Sequence, residues 1–318
     1  MILVTGGTGF IGSHLLDRLA AGGEPVRALV RRKTELPGGI EGVPGDLETG
    51  EGLAEAVRGA DLVIHIAGVI KALKPSGYYR GNAHATENLA RAAAAQKSGF
   101  VHISSLAVCG PSPAGGASDE DVDPHPVSHY GKSKLEAERI VRALIPDAVI
   151  LRPPVVYGPR DLGVLPLLKA ISRGVVVQIS GAERWFSMIY VHDLVDGILT
   201  AMRNPQASGR TYFLSHPQAL NWSDLGDAAS RLMMRKPVIV RVPQAAAYGV
   251  GCLAEVWSTI TRKPGMVSRD KIADAICARW VCDTRRASAE LGFDAKTPLE
   301  TGLLETLAWY KEAGWIKY

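Results

Sequence analysis

Cysteine is scarce and scattered: four among 318 residues, at positions 109, 252, 277 and 282, with no C-x-x-C. This gives no zinc ribbon and no disulfide framework, and it fits a reducing, cytoplasmic setting with the cysteines as ordinary core residues. Charge of one sign is also lacking. Lys and Arg number 36 against 32 Asp and Glu, and no basic block carries interleaved aromatics, which leaves no case for a nucleic-acid partner. No apolar run is long enough to span a bilayer. The longest, Val242 to Trp257, is interrupted by Gln244 and Glu255 and falls short of the ~20 residues required, so it is expected to be a buried or interfacial helix. The first residues read as a strand rather than a charged, then apolar, then small-residue leader, so no signal peptide is expected. His125 and His129 lie in a proline-containing loop rather than on a helix face, and no metal site is expected.

What the chain does have is core: 47% of its residues are hydrophobic. Short β-branched runs ("MILVTG", "VRALVR", "DLVIHIAG", "FVHISS", "AVILRPPVVYGP") alternate with helical segments through the first half. That alternation predicts an α/β fold with a doubly wound parallel sheet. It weakens after about residue 160. Residues 1–160 are therefore expected to form a Rossmann-type domain, with 186–206 returning to it, and 161–318 mainly a smaller mixed substrate lobe.

"TGGTGFIG" sets Gly6, Gly9 and Gly12 directly after the first strand and at the opening of the first helix. Glycines there allow a tight turn, close approach of backbone to a pyrophosphate, and close packing of helix on sheet. The loop, with Thr8, Phe10 and Ile11, thus reads as a dinucleotide site at a helix N-terminus; a plain tight turn is the other reading. A ribose-binding acid is usual about twenty residues on, but "VRALVRRK" places Arg31 and Arg32 there. Arginine suits a 2′-phosphate, which favours NADP over NAD; a solvated basic turn is the alternative. Asp46 and Leu47, in "GDL" at a strand end, either clamp an adenine or simply form a turn.

"SHYGKSKLEAERIV" holds Tyr130 and Lys134 four residues apart at the start of a helix, and so on one face of it. An ammonium beside a phenol favours the phenolate, which would make the pair a tuned proton donor and acceptor. Alone, the spacing also arises by chance.

Taken together, these segments resemble the extended short-chain dehydrogenase/reductase superfamily, the NAD-dependent epimerase/dehydratase family. The motifs are "TGGTGFIG", "GDL", "HIAG", Asn82 ahead of a helix, "ISSLAVCG", "YGKSK", "LRPPVVYGPRD" and "YVHDLV", in that order along the whole chain. The resemblance implies that Tyr130 is the general acid/base and that Lys134 lowers its pKa and binds the nicotinamide ribose. It places the serine that hydrogen-bonds the reacting oxygen at Ser105, in preference to Ser104. It also puts Ala67, Gly68, Pro153 and Val155 against the cofactor, makes His192 structural, and suggests a homodimer through the Tyr130 helix. Cys109 stands where relatives have tyrosine in "VYG", a departure expected to alter the floor of the substrate pocket. Arg184 falls near a diphosphate site of sugar-nucleotide members, or is an ordinary surface arginine.

Three activities fit such a chain. One is an NADP(H)-releasing oxidoreductase acting on a hydroxyl or ketone of a small, fairly apolar molecule. Support comes from Arg31 and Arg32, from "RPPVVYGP" without the asparagine of "NVYGP", and from a likeness to dihydroflavonol reductase-like and 3β-hydroxysteroid dehydrogenase-like branches. The apolar Val242–Trp257 segment is expected to line a lipid-compatible pocket for such a substrate. The second is a nucleotide-sugar epimerase that retains NAD(H). The third is a non-catalytic NADP-binding regulator, disfavoured because such relatives lose the tyrosine or the lysine.

Overall fold

The computed structural model describes residues 1–262, 265 and 268–318. Ile2–Thr5, buried at every position, forms β1. Continuous burial of this kind marks a strand covered on both faces. The other strands of its sheet are β2 (Val26–Val30), β3 (Glu41–Pro44), β4 (Leu62–His65), β5 (Gly99–Ile103), β6 (Val149–Arg152) and β7 (Thr211–Phe213). Their order is β7-β6-β5-β4-β1-β2-β3, with every pair parallel. The order reverses between β1 and β4, so the crevice for a ligand lies at the carboxyl ends of those strands. This is the Rossmann-type α/β fold expected from the alternation.

Helix α1 (Phe10–Ala21) begins at the glycine loop, buries Leu15, Leu16 and Leu19 against the sheet, and stops at Gly22. α2 (Ala85–Ala95) packs Leu89, Ala90 and Ala93 on the opposite side. α3 (His129–Leu144) carries the tyrosine and lysine. Ser128 caps it by accepting from the Gly131 amide at 3.1 Å, and Lys134, Ala137, Glu138 and Val141 share its buried face. α4 (Val191–Arg203) buries Leu194, Val195 and Ile198 in the same core as β1 and α1.

Two differences from the sequence reading have clear physical causes. "AVILRPPVVYGP" is not one strand. Pro153 and Pro154 lack the amide hydrogens a ladder needs, and Val155–Tyr157 pairs instead with Met188–Tyr190 in a separate two-stranded sheet. The last strand of the main sheet is then Thr211–Phe213, from a segment read as part of the smaller lobe, while the strand within 186–206 stays outside that sheet. A second apolar core, including Leu168, Phe186, Met188, Leu225 and Leu307, sits beyond the strand ends. Near it are α5 (Gln244–Thr261) and α6 (Arg269–Ala275), which pack on one another. No helix among the described residues is long and apolar enough to cross a membrane.

Candidate active site

The glycine loop is built so that only glycine fits at two of its positions. Gly6 has φ +74°, and a Cβ there would lie 2.6 Å from the Ala67 amide nitrogen at the end of β4. A Cβ at Gly12 would lie 2.1 Å from the Gly6 carbonyl oxygen. Gly9 differs: its added Cβ would meet only the Gly6 oxygen, at 3.2 Å, so the outside of the loop is open. Thr8 and Gly9 are exposed there, with α1 amides behind them. These residues fit a pyrophosphate cradled on a helix N-terminus. Arg31 and Arg32 are exposed just past β2 and belong to no ion pair among the described residues. The Oδ1 of Asp46 accepts from the amides of Glu48 (2.7 Å) and Thr49 (3.2 Å), so that oxygen makes a turn and only Oδ2 is left for an adenine. Leu47 is half-buried beside it.

A cleft of about 490 Å³ opens where the loop meets the ends of β4, β5 and β6. Of the residues singled out in the sequence, Phe10, Ile11, Gly68, Ser105, Tyr130, Lys134, Pro153 and Val155 line it; Gly6, Thr8, Gly9, Gly12, Ala67, Arg31, Arg32, Asp46 and Leu47 do not. The Tyr130 phenol faces the Ser105 hydroxyl, which accepts from the Ala107 amide at 3.2 Å. Ser104, one residue earlier, points its hydroxyl into a buried site with no partner among the described residues. Lys134 Nζ donates to the Ile103 carbonyl at 2.6 Å and lies 4.0 Å from where a Cβ on Gly68 would be.

The electrostatics depart from the sequence expectation. Lys134 was expected to depress Tyr130, yet burial pushes the phenol up, opposed by the Ser105 hydroxyl and reinforced by Asp274. Burial in turn pushes Lys134 down to about 8, with Glu138 opposing. Beneath the lysine, Glu138 accepts two bonds from Arg152, at 2.9 and 2.7 Å, in a buried pair that ties α3 to β6. His65 and His102 stack at 5.3 Å below the same ammonium. Desolvation and then the Lys134 charge push His65 down to about 3 and His102 well below its usual range, so both are neutral. The Thr86 hydroxyl is committed to the Asn82 carbonyl, so His65 Nε2 donates to Thr86 (2.9 Å) and Nδ1 accepts from Thr5 (2.7 Å). Asn82 fixes the floor: its amide group bridges Val69 and the Ser133 hydroxyl, and that hydroxyl donates to the Tyr130 carbonyl.

Three other sequence expectations meet a different placement. Cys109 does not form the pocket floor: it is fully buried with Leu106, Phe213 and Cys282, 3.5 Å from Arg152 Nη1. Arg184 is not a surface residue. It is 7% exposed and lines the cleft, with its Nη atoms on the carbonyls of Ile179, Ala182 and Ser180 and its Nε without a partner. No described residue of α5 lines the cleft.

In place of α5, α6 contributes the residues that the sequence did not flag. Asp270 accepts from the His129 and Tyr130 amides at 2.6 and 3.3 Å, at the start of α3. Lys271 Nζ stands 4.9 Å from the centre of the Tyr130 ring. Burial pushes Asp274 up to about 6, against the pull of Lys271 and of the nearby Ser128 hydroxyl. These residues are some 140 positions from Tyr130, and no motif announces them.

Residues 2–214 match the model of the NAD dependent epimerase/dehydratase family. The chain is 32% identical over 320 residues to a ceramide reductase of Caulobacter vibrioides, covering 99% of this chain and 96% of that one. It is 29% identical over 318 residues to a 4-hydroxy-2-methyl-3-oxo-4-farnesyl-3,4-dihydroquinoline-1-oxide ketoreductase of Stigmatella aurantiaca, covering 94% and 93%. Among solved structures it resembles MoeE5 in complex with UDP-glucuronic acid and NAD, at a TM-score of 0.80 and 25% identity over 98% of this chain and 99% of that one. The chain belongs to the NAD-dependent epimerase/dehydratase family, and is an enzyme of the extended short-chain dehydrogenase/reductase superfamily.

Proposed function

We propose that the enzyme takes up and releases NADP(H) and reduces the ketone of a fairly apolar, lipid-like molecule. The observation that carries this is the wall facing Ser105 and Tyr130. It is apolar, built from Val155, Val164, Phe186, Met188, Trp222 and Leu225, and suits a hydrocarbon chain better than a hydroxylated sugar. The relatives named as a ceramide reductase and as a ketoreductase of a farnesylated dihydroquinoline oxide support the same substrate chemistry. Arg31 and Arg32, exposed at the end of β2 and in no ion pair among the described residues, support a 2′-phosphate and so NADP over NAD.

When bound, the nicotinamide supplies the hydride to the carbonyl carbon. Tyr130 gives its proton to the carbonyl oxygen. Burial keeps the phenol protonated at neutral pH, the form that a reduction needs. Ser105 donates a hydrogen bond to the same oxygen and holds the phenol beside it. Lys134, still largely cationic at pH 7, holds the ribose and steadies the phenolate left after transfer. The stacked histidines beneath it are neutral and add no positive charge to that of the ammonium.

A nucleotide-sugar epimerase that retains NAD(H) is the second reading, and Arg184 favours it: a buried cation on the cleft wall with no ion pair among the described residues suits a diphosphate. The test is NADPH consumption, followed by absorbance, with a set of long-chain ketones and with UDP-sugars. Stoichiometric consumption with a ketone is expected. Interconversion of a UDP-sugar without net consumption would replace this proposal by the epimerase.

A further inference from the structure

The outward face of α5 is apolar where a water-facing helix would be polar. Val250, Leu253, Trp257 and Ile260 recur at steps of three and four residues and so form one stripe. They are 55%, 72%, 68% and 69% exposed. The helix has a single charged residue, Glu255, which lies off this stripe and pairs with Arg269 of α6 at 2.6 Å. The strand before it, Val238–Val242, exposes Val238 and Ile239 in the same way. An exposed apolar stripe of this length along one helix marks an interaction surface.

The surrounding charge says what the surface meets. Residues 233–263 hold five Lys or Arg against one acid, so this stretch alone accounts for the chain's net charge of +4. Arg235, Lys236 and Arg241 precede the stripe and Arg262 follows it. All four are exposed, with no ion pair among the described residues. A second copy meeting this face about a twofold axis would set cations against cations. An amphipathic helix with a tryptophan on its apolar face, set in a stretch of chain with exposed cations before and after it, matches an anionic lipid surface.

We propose that α5 lies in the headgroup region of an anionic bilayer and holds the cleft at the lipid surface. α6 connects the two: it packs on α5 through Ile272, which would touch a Cβ on Gly251 at 3.0 Å, and turns Lys271, Asp274 and Ala275 into the cleft. The bilayer thus faces one side of the α5–α6 pair and the active site the other. That a lipid-like ketone reaches the cleft by this route rests on the reductase proposal; the surface binding does not.

The test is co-sedimentation of the whole protein with vesicles of phosphatidylcholine alone and of phosphatidylcholine with phosphatidylglycerol, without substrate. The expected result is binding to the anionic vesicles at least tenfold tighter than to the neutral ones, weakened by salt. Leu253→Asp with Trp257→Asp should weaken it at least tenfold. Both side chains are exposed and outside the cleft, so the thermal midpoint and the turnover of a short, water-soluble ketone should not change. Arg235→Glu with Lys236→Glu should remove the preference for anionic lipid. Absence of binding by the unaltered protein, or equal binding by the Asp double variant, would overturn the proposal. So would a concentration-dependent dimer, abolished by that variant, in a protein that ignores vesicles. Vesicle binding without any ketone turnover would sink the reductase proposal and leave this one standing.

Discussion

Gly12→Ala tests the cofactor loop where its geometry is tightest. The added methyl would sit 2.1 Å from the Gly6 oxygen, 2.7 Å from the Gly6 carbonyl carbon and 2.8 Å from Gly7 Cα. All three are backbone atoms, and the shortest contact is roughly 1 Å or more inside ordinary van der Waals distance. No side chain can swing away, so the loop must lift from the helix. Overpacking of this kind costs roughly 1–3 kcal/mol. For a chain of this length that is a fall of roughly 2–6 °C in the thermal midpoint. The displaced amides should also cost at least tenfold in dinucleotide affinity. Gly9→Ala is the control, because its methyl meets only one atom, at 3.2 Å. It should keep the midpoint and still weaken binding, since its methyl stands on the open side of the loop. Thermal unfolding and a fluorescence titration with NADPH read both effects. A Gly12→Ala protein with unaltered midpoint and affinity would refute the packing argument. A Gly9→Ala protein that binds normally would refute the placement of the pyrophosphate.

Tyr130→Phe should lower kcat by roughly 10²–10⁴ and leave the NADPH dissociation constant within about twofold, measured by steady-state kinetics and titration; near-normal turnover would remove Tyr130 as the proton donor. Replacing Arg31 and Arg32 together by alanine should weaken NADPH roughly tenfold or more and NADH little; equal losses would end the case for a 2′-phosphate. Asp274, pushed up to about 6, binds more protons folded than unfolded across about pH 4–6, so it lowers stability as pH rises through that window. Asp274→Asn should therefore flatten the change in urea stability between pH 5 and 7.5 by about 1 kcal/mol, and an unchanged slope would show that this carboxyl titrates normally.

Most of the fold was legible because parallel strands buried on both faces are continuous β-branched runs, and the glycine loop needs a strand before it and a helix after it. What was not legible is non-local. Thr211–Phe213 is three residues long and becomes β7 only by pairing with β6 across the chain. The proline pair at 153 and 154 was visible, but that Val155–Tyr157 would find Met188–Tyr190 was not. In the site, Ser105, Tyr130 and Lys134 could be read from spacing and resemblance, and they share the cleft. Lys271 and Asp274 could not, since only the packing of α6 on the start of α3 brings them there. The upward push on Tyr130 is hidden for a related reason: the motif shows the neighbouring charge and not the burial. Val242–Trp257 was recognised as apolar, but hydropathy alone does not say whether an apolar face turns inward or out.

The central claim is that the enzyme releases its cofactor and consumes it. The most direct measurement is to purify the protein without added nucleotide, denature it and identify what is released, then titrate the same preparation with NADPH and NADH. The account expects a largely empty site that binds NADPH more tightly than NADH. Stoichiometric NAD(H) surviving purification would contradict it.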